Sequence, residues 1–181
     1  MIPFQHFLKY TLLLFTAVLL ACGDCAAQSG TSNPEYKRLK AEAQFLYINK
    51  QYGLAVAKYD SALTFVPNSK AMYVNRALAR IEVKNYSGAI EDCDKAIAID
   101  FLLAEAYFVR GYVNHLVKEN IKSLEDFDQA ILLDPSHVDA FYNRAVVKKD
   151  LKDFVGACKD LEVAIQLGYS KAEYKKTEFC K

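Results

Sequence analysis

One pattern of residues returns four times along the chain at an interval of 34 residues. It is clearest in QYGLAVAKYDSALTFVP, which begins at Gln51, and related segments begin at Asn85, Asn120 and Asp153. Small residues recur as Ala43, Ala77, Gly111 and Ala145, as Ala55, Ala89, Ser123 and Ala157, and as Ala62, Ala96, Ala130 and Ala164. Large residues recur as Leu39, Tyr73, Tyr107 and Phe141, and as Tyr59, Cys93, Phe127 and Leu161. Small residues let helices approach closely and bulky ones fill the next groove, so the pattern predicts stacked helix pairs.

This arrangement resembles the tetratricopeptide repeat (TPR), a helix–turn–helix unit of 34 residues. The resemblance covers four repeats, at about 36–69, 70–103, 104–137 and 138–171. It implies an all-α fold, a right-handed α-solenoid, because each helix pair leaves an apolar face that only the next pair can cover. The expected helices are 36–49, 52–65, 70–83, 86–99, 104–117, 120–133, 138–151 and 154–167, followed by a short capping helix within 171–180. Phe101 and Tyr169 depart from the family pattern by replacing a terminating proline, and Asn120 by replacing an aromatic residue.

The residues before the repeat domain at 35–181 predict export. Lys9 precedes the apolar run YTLLLFTAVLLA, which has the length of a signal-peptide core and is short for a membrane span. The next residues, LLAC, resemble a bacterial lipobox, which implies a signal peptide over 1–21 and lipidation of Cys22. Residues 22–34 are small and polar and predict a tether. Two alternatives stay open, namely secretion with cleavage after Ala27 and an uncleaved anchor.

These features together predict a membrane-anchored lipoprotein of the bacterial envelope, at the outer membrane and facing the periplasm. Lys and Arg number 23 against 22 Asp and Glu, so the charge balance gives no support to nucleic-acid binding, which relies on phosphate neutralisation. His115 has no Cys or carboxylate at metal-ligand spacing, His137 lies in a repeat boundary beside Pro135, and no glycine-rich phosphate loop occurs in the sequence. We therefore expect no enzyme activity, no cofactor, no metal and no small-molecule substrate.

Three cysteines fall within the predicted repeats and cap. Cys93 takes a core position, and we interpret it as an inert apolar residue that fills space in the core. Cys158 lies on the last full helix and Cys180 on the capping helix, and an antiparallel hairpin about Gly168 would bring them together. In an oxidising compartment they could form a disulfide. The alternative is two free thiols.

A charge pattern also recurs with the repeat. Three arginines share one position on the first helices, and three aspartates follow them sixteen residues later, as Arg76 and Asp92, Arg110 and Asp126, and Arg144 and Asp160. The first repeat carries the opposite signs, Glu42 and Lys58. A joint reversal predicts that the two positions meet within each repeat and fix the helix register. The alternative is that both are solvated, in which case each pair contributes about 0–1 kcal/mol.

In the family that the repeats resemble, the first helices line a concave face that binds a peptide or a partner segment. Transferring the exposed positions of that face gives a candidate groove of thirteen residues. They are Lys40, Gln44, Tyr47, Val74, Asn75, Leu78, Phe108, Val109, Tyr112, His115, Tyr142, Asn143 and Val146. Its middle is apolar and aromatic, as binding surfaces often are. The alternative is that helix twist tucks several of these residues between repeats.

One subclass of the family clamps the acidic C-terminus of heat-shock chaperones with a Lys/Asn/Arg set across three repeats. Lys40 and Asn75 match that set and Gln44 nearly does, but Glu105 and Val109 stand where a Lys and an Arg are required. The sequence therefore predicts a different ligand. The expected function is a non-catalytic scaffold or adaptor that binds a protein or peptide partner, and the alternative is a self-associating structural scaffold.

Overall fold

The computed structural model describes residues 31–180, and the predicted signal peptide and Cys22 lie outside the described residues. Nine helices follow one another from Pro34 to Phe179, and no strand occurs between residues 31 and 180. They are α1 (Pro34–Ile48), α2 (Tyr52–Phe65), α3 (Lys70–Glu82), α4 (Tyr86–Ile99), α5 (Ala104–Leu116), α6 (Asn120–Leu133), α7 (Val138–Asp150), α8 (Phe154–Gln166) and α9 (Lys171–Phe179). The all-α solenoid prediction is confirmed, and every bound of α1 to α8 lies within two residues of its expected position.

Polar side chains fix where several helices begin. Asn33 caps α1 by accepting a hydrogen bond from the Glu35 amide at 2.8 Å, and Pro34 occupies the first helical position, where a missing N–H costs least. This is why α1 begins two residues before the expected start. Asn85 and Asp153 cap α4 and α8 in the same way.

A lysine with left-handed backbone closes the first helix of every repeat. The φ angles are 60° at Lys50, 61° at Lys84, 68° at Lys118 and 66° at Lys152. After each lysine, the next amide donates back to the helix, as Gln51 does to the Leu46 carbonyl at 2.8 Å. Glycine is usual at such positions because a side chain there costs roughly 1–2 kcal/mol. The four repeats therefore share a left-handed turn that a lysine at this position does not predict.

Consecutive repeats bury the face that each leaves open. Ala79, Val113 and Val147 share one position on α3, α5 and α7, and all three are fully buried. The residue at that position in α1 is Phe45, which is 67% exposed at the N-terminal end of the stack. The first helices α3, α5 and α7 also contact one another in order, so they form the inner surface of the solenoid.

The predicted ion pairs within each repeat are confirmed. Arg76 Nε donates to Asp92 Oδ2 at 2.9 Å, and Arg144 Nε donates to Asp160 Oδ2 at 2.8 Å. The third repeat has the same pair, Arg110 with Asp126 at 3.1 Å, and the first repeat has the reversed pair, Lys58 Nζ with Glu42 Oε2 at 2.7 Å. Asp92, Asp126 and Asp160 are buried, so their pairs are not the solvated contacts of the alternative interpretation, whereas the reversed pair of the first repeat is partly exposed.

Each arginine also reaches back to the preceding repeat, which the sequence analysis did not predict. Arg76 contacts Asp60, Arg110 contacts Asp94 and Arg144 contacts Asp128, each at 2.6 Å. The buried carboxylates receive one more partner from the next helical turn, namely Arg80 on Asp92, Asn114 on Asp126 and Lys148 on Asp160. The result is one ion-pair group at each of the three repeat junctions, and we call these arginines and aspartates together the charge ladder.

The capping helix α9 is held to α8 by a covalent bond and a small apolar contact. Cys158 and Cys180 form a disulfide with their Cα atoms 5.8 Å apart. Of the α9 residues only Ala172 and Phe179 are buried. Cys93 is free and buried, and burial raises the pKa of its thiol to about 12, as expected of an inert core cysteine.

Within residues 31–180, no group of three or more His, Cys, Asp or Glu side chains is arranged to hold a metal ion. Among the helices of that same range, none combines the length and the apolar character that a membrane crossing requires.

The buried and exposed carboxylates of the charge ladder should differ sharply in their effect on stability. Asp92→Ala leaves Arg76 and Arg80 without their buried partner, so we expect a loss of about 3–5 kcal/mol in the free energy of unfolding. Asp60→Ala removes the half-exposed partner of the same arginine and should cost about 0–1 kcal/mol. Urea denaturation of both variants measures the difference, and equal losses would contradict the assignment.

Breaking the disulfide should release α9 alone. In Cys158→Ser/Cys180→Ser, the loop-closure contribution of about 3 kcal/mol is lost, and two buried side chains are too few to hold nine residues. Hydrogen exchange should become fast across Lys171–Phe179 while α3 to α6 keep their protection. Cys93→Ala is the matched control, with α9 still protected. Slow exchange of α9 in the double variant would show that the disulfide is dispensable.

Candidate binding groove

The inner surface is built from one face of each first helix. Residues three, four and seven apart share a helix face, and the repeat places the same four positions of α1, α3, α5 and α7 side by side. We call this surface the groove and these four lines of equivalent residues rows; the predicted residues Asn75, Val109 and Asn143 form a further line beside them. The rows are Lys37, Ala71, Glu105 and Asp139; Lys40, Val74, Phe108 and Tyr142; Gln44, Leu78, Tyr112 and Val146; and Tyr47, Ile81, His115 and Lys149.

Most of the predicted groove residues keep some exposed surface. Gln44 is exposed, and ten others are partly exposed: Lys40, Tyr47, Asn75, Leu78, Phe108, Tyr112, His115, Tyr142, Asn143 and Val146. Several of their polar ends have no hydrogen bond to any residue in the range 31–180. These free ends belong to Gln44, Asn75 and Tyr112. The groove thus offers unsatisfied donors and acceptors beside apolar surface.

The prediction was wrong for Val109 and holds only marginally for Val74, which is almost fully buried but lines a recess of the groove. Val74 is buried at 5% exposure and Val109 is fully buried. Both belong to the apolar cluster that joins α3 to α5, together with Ala106 and Val113. Neighbouring first helices come so close that the side chains at their seam are covered by the next helix. The alternative of tucked residues therefore holds at Val109 and largely at Val74.

Two aromatic residues of the groove, Phe108 and Tyr142, are partly exposed and also pack against other rings. The ring centroid of Phe108 lies 5.9 Å from that of Phe127 and 4.6 Å from that of His137. Tyr142 meets Tyr169 edge-on at 5.0 Å. Truncating Phe108 would therefore disturb the core as well as the groove.

One histidine, His115, belongs to a groove row, and a second, His137, contacts the groove residues Glu105 and Phe108. His115 Nε2 lies 3.0 Å from Asp150 Oδ2, and this hydrogen bond is the main cause of the lowered pKa of the Asp150 carboxyl. His137 caps α7 through Nδ1, which accepts from the Ala140 amide at 3.3 Å. Its Nε2 lies 3.4 Å from Glu105 Oε2, and this contact is the main cause that raises the pKa of His137. Sequence reasoning missed His137, although its place just before a helix start signals a cap.

A recess of about 200 Å³ opens between α3 and α5 on the groove. Its walls are Lys70, Ala71, Val74, Asn75, Leu103 and Glu105. A second recess, of about 360 Å³, lies between α4, α5 and α6 and is lined mainly by members of the charge ladder and their neighbours. The first recess is the one that the groove residues share.

Comparison with known proteins places these features in context. No family model matches the chain. Small glutamine-rich tetratricopeptide repeat-containing protein 2 of Saccharomyces cerevisiae is 39% identical over 74 residues, which are 41% of this chain and 20% of that protein. The chain therefore accounts for only a fifth of the length of that relative.

Two solved structures share the fold. The first TPR of Spaghetti (RPAP3), bound to the HSP90 peptide SRMEEVD, is 21% identical with a TM-score of 0.62, over 65% of this chain and 94% of that one. The MamA protein is 18% identical with a TM-score of 0.66, over 81% of this chain and 86% of that one. With helix pairs at a 34-residue interval and an inner surface of first helices, the described residues have the tetratricopeptide-repeat fold, which they share with the first TPR of Spaghetti (RPAP3).

Proposed function

We propose that this protein is a non-catalytic adaptor that holds an extended segment of a partner protein in its groove. The observation that carries the proposal is the set of free polar ends beside half-exposed aromatic and aliphatic side chains on the inner surface. These ends are open to solvent, so a bound backbone that replaces water on them adds hydrogen bonds of about 0.5–1.5 kcal/mol each. The structural neighbour that holds a heptapeptide supports the same mode of binding.

The ligand differs from the acidic HSP90 peptide SRMEEVD that the neighbour binds. Val109 is fully buried against α3, so it offers no contact to a ligand. Glu105 presents a carboxylate at the edge of the groove, and its side chain is 49% exposed. A second carboxylate there would be repelled.

The adaptor acts, on this proposal, in a bacterial envelope, tethered through a lipid on Cys22 at the outer membrane and facing the periplasm. The lipobox-like LLAC supports the anchor. The disulfide between Cys158 and Cys180 supports an oxidising compartment, because structural disulfides persist there and are rare in the cytosol. The second candidate function is self-association, and the exposed Phe45 at the open end of the stack favours it.

Removing the free polar ends should abolish capture and leave the fold intact. Gln44→Ala/Asn75→Ala/Tyr112→Phe deletes two amides and one hydroxyl while the apolar packing stays. Losing three hydrogen bonds of about 0.5–1.5 kcal/mol each should weaken partner binding at least about tenfold. Binding is measured by photo-crosslinking in intact cells, with the crosslinker at Lys40, followed by mass spectrometry.

The matched control also removes two side-chain amides and one tyrosine hydroxyl, but outside the groove, as Gln129→Ala/Gln166→Ala/Tyr174→Phe, and should retain capture. Equal capture by both triple variants would refute the groove assignment. Crosslinks that lead only to second copies of this chain, together with a concentration-dependent sedimentation shift, would favour the self-association function instead.

The anchor has a separate test in the intact mass of the mature protein. We expect an N-terminus at Cys22 that carries a diacylglyceryl group, since only a thiolate at this site can be alkylated in that way. Cys22→Ala should release the protein from the membrane fraction, and Cys25→Ala, the matched control, should not. An unmodified N-terminus at Gln28 would establish simple secretion.

A further inference from the structure

The four rows of the groove do not carry charge evenly. The row Lys37, Ala71, Glu105 and Asp139 changes sign from the first repeat to the third. The neighbouring row begins with Lys40 and then becomes apolar. Because each row occupies one repeat position, this sequence order is also a spatial order along the groove.

The positive end, at the first repeat, has cations without ion pairs. Neither Lys37 nor Lys40 pairs with a carboxylate between residues 31 and 180. The carboxylates on the same helix are engaged elsewhere. Glu35 pairs with Arg38, and Glu42 pairs with Arg38 and Lys58. The two lysines are therefore free to meet an anionic group.

The negative end lies at the third and fourth repeats, where the carboxylates of Glu105 and Asp139 form no ion pair with a Lys or Arg of residues 31–180. Glu105 contacts the ring of His137 at 3.4 Å, and Asp139 is exposed. Lys70, the nearest lysine on the recess wall, forms its own pair with Asp100. Lys149 lies at the far end of α7, 3.8 Å from Asp150. Two carboxylates thus face a ligand at this end.

Between the two ends lies the recess of about 200 Å³. Ala71, Val74 and Leu103 give it apolar walls, which suit an aliphatic side chain. The free amide of Asn75 stands on the same wall, where it can bond the backbone of an extended ligand. The recess therefore accepts an apolar residue in the middle of a bound segment.

The distance between the charged ends sets the length of that segment. Packed helices lie about 8–10 Å apart, so the step from the first repeat to the third is about 20 Å. An extended chain advances about 3.3 Å per residue, so about six residues cover this distance.

We propose that the groove selects a bipolar segment, with an acidic residue at the first repeat, a Lys or Arg at the third and fourth repeats about six positions away, and an apolar residue between them. The inference rests on the proposed peptide-binding function and adds the chemistry of the ligand. A segment acidic at both ends meets Glu105 and Asp139, and one basic at both ends meets the two lysines, so both are disfavoured by like charge.

Four fluorescein-labelled eight-residue peptides with capped termini test the proposal. All share the centre Leu-Ser-Leu-Ser. They carry Asp-Asp then Lys-Lys, Lys-Lys then Asp-Asp, Asp-Asp at both ends, or Lys-Lys at both ends. We expect one bipolar peptide to bind at least about tenfold tighter than either uniformly charged peptide, with a preference that weakens at high salt. Fluorescence anisotropy gives the Kd values.

A charge exchange in the groove makes the test specific. Lys37→Glu/Lys40→Glu/Glu105→Lys/Asp139→Lys keeps the net charge and reverses the gradient, so the favoured bipolar peptide should switch to the opposite orientation. The matched control makes the same exchange on the outer helices, as Lys122→Glu/Lys159→Glu/Glu91→Lys/Glu125→Lys, and should keep the original preference. Circular dichroism checks that both variants are folded.

The outcomes separate this inference from the function on which it rests. A preference that reverses with the groove exchange supports it. An unchanged preference, equal binding of all four peptides, or no binding of any of them overturns it. If crosslinking in cells still depends on Gln44, Asn75 and Tyr112 while the peptides show no charge preference, the adaptor function stands and the bipolar selection fails.

Discussion

Close approach of neighbouring helices is the constraint on which the whole stack depends, and it requires a small side chain at the same place in every repeat. Gly111 shows how little room there is. A Cβ atom added to it would lie 3.1 Å from the ring of Phe127. In the second repeat the equivalent pair is Ala77 with Cys93. Alanine is larger than the glycine at the small position, and cysteine is smaller than the phenylalanine at the large position. The bulk at the large position therefore varies between repeats, while the residue at the small position is never larger than alanine, as close helix approach requires.

This packing also decides which residues remain for binding. The contact between α3 and α5 buries Val74 and Val109 and leaves Asn75 and Tyr112 partly exposed. The ion pairs occupy the space between first and second helices, so the arginines of the repeats are engaged in structure. The charge that is free on the inner surface then comes from the lysines of α1 and the carboxylates of α5 and α7.

Much of the fold could be predicted because the 34-residue interval repeats four times without a gap. The joint sign reversal at Glu42 and Lys58 was enough to predict contacts within each repeat. The links to Asp60, Asp94 and Asp128 could not be found this way, because they depend on how far one repeat is rotated against the next. The same rotation decides the burial of Val109, which no residue type reveals. The left-handed φ angles of the four lysines were not predicted, because they arise from the way each helix ends and no glycine marks the position in the sequence.

The charge ladder makes the three repeat junctions chemically interchangeable. Each junction joins an aspartate of one repeat to an arginine of the next, at 2.6 Å in every case. Duplicating or deleting a whole unit of 34 residues in the middle of the gene would recreate the same junction and leave no arginine orphaned. The array can therefore gain or lose repeats during evolution without new contacts at the repeat junctions. The length of its inner surface changes with the number of repeats.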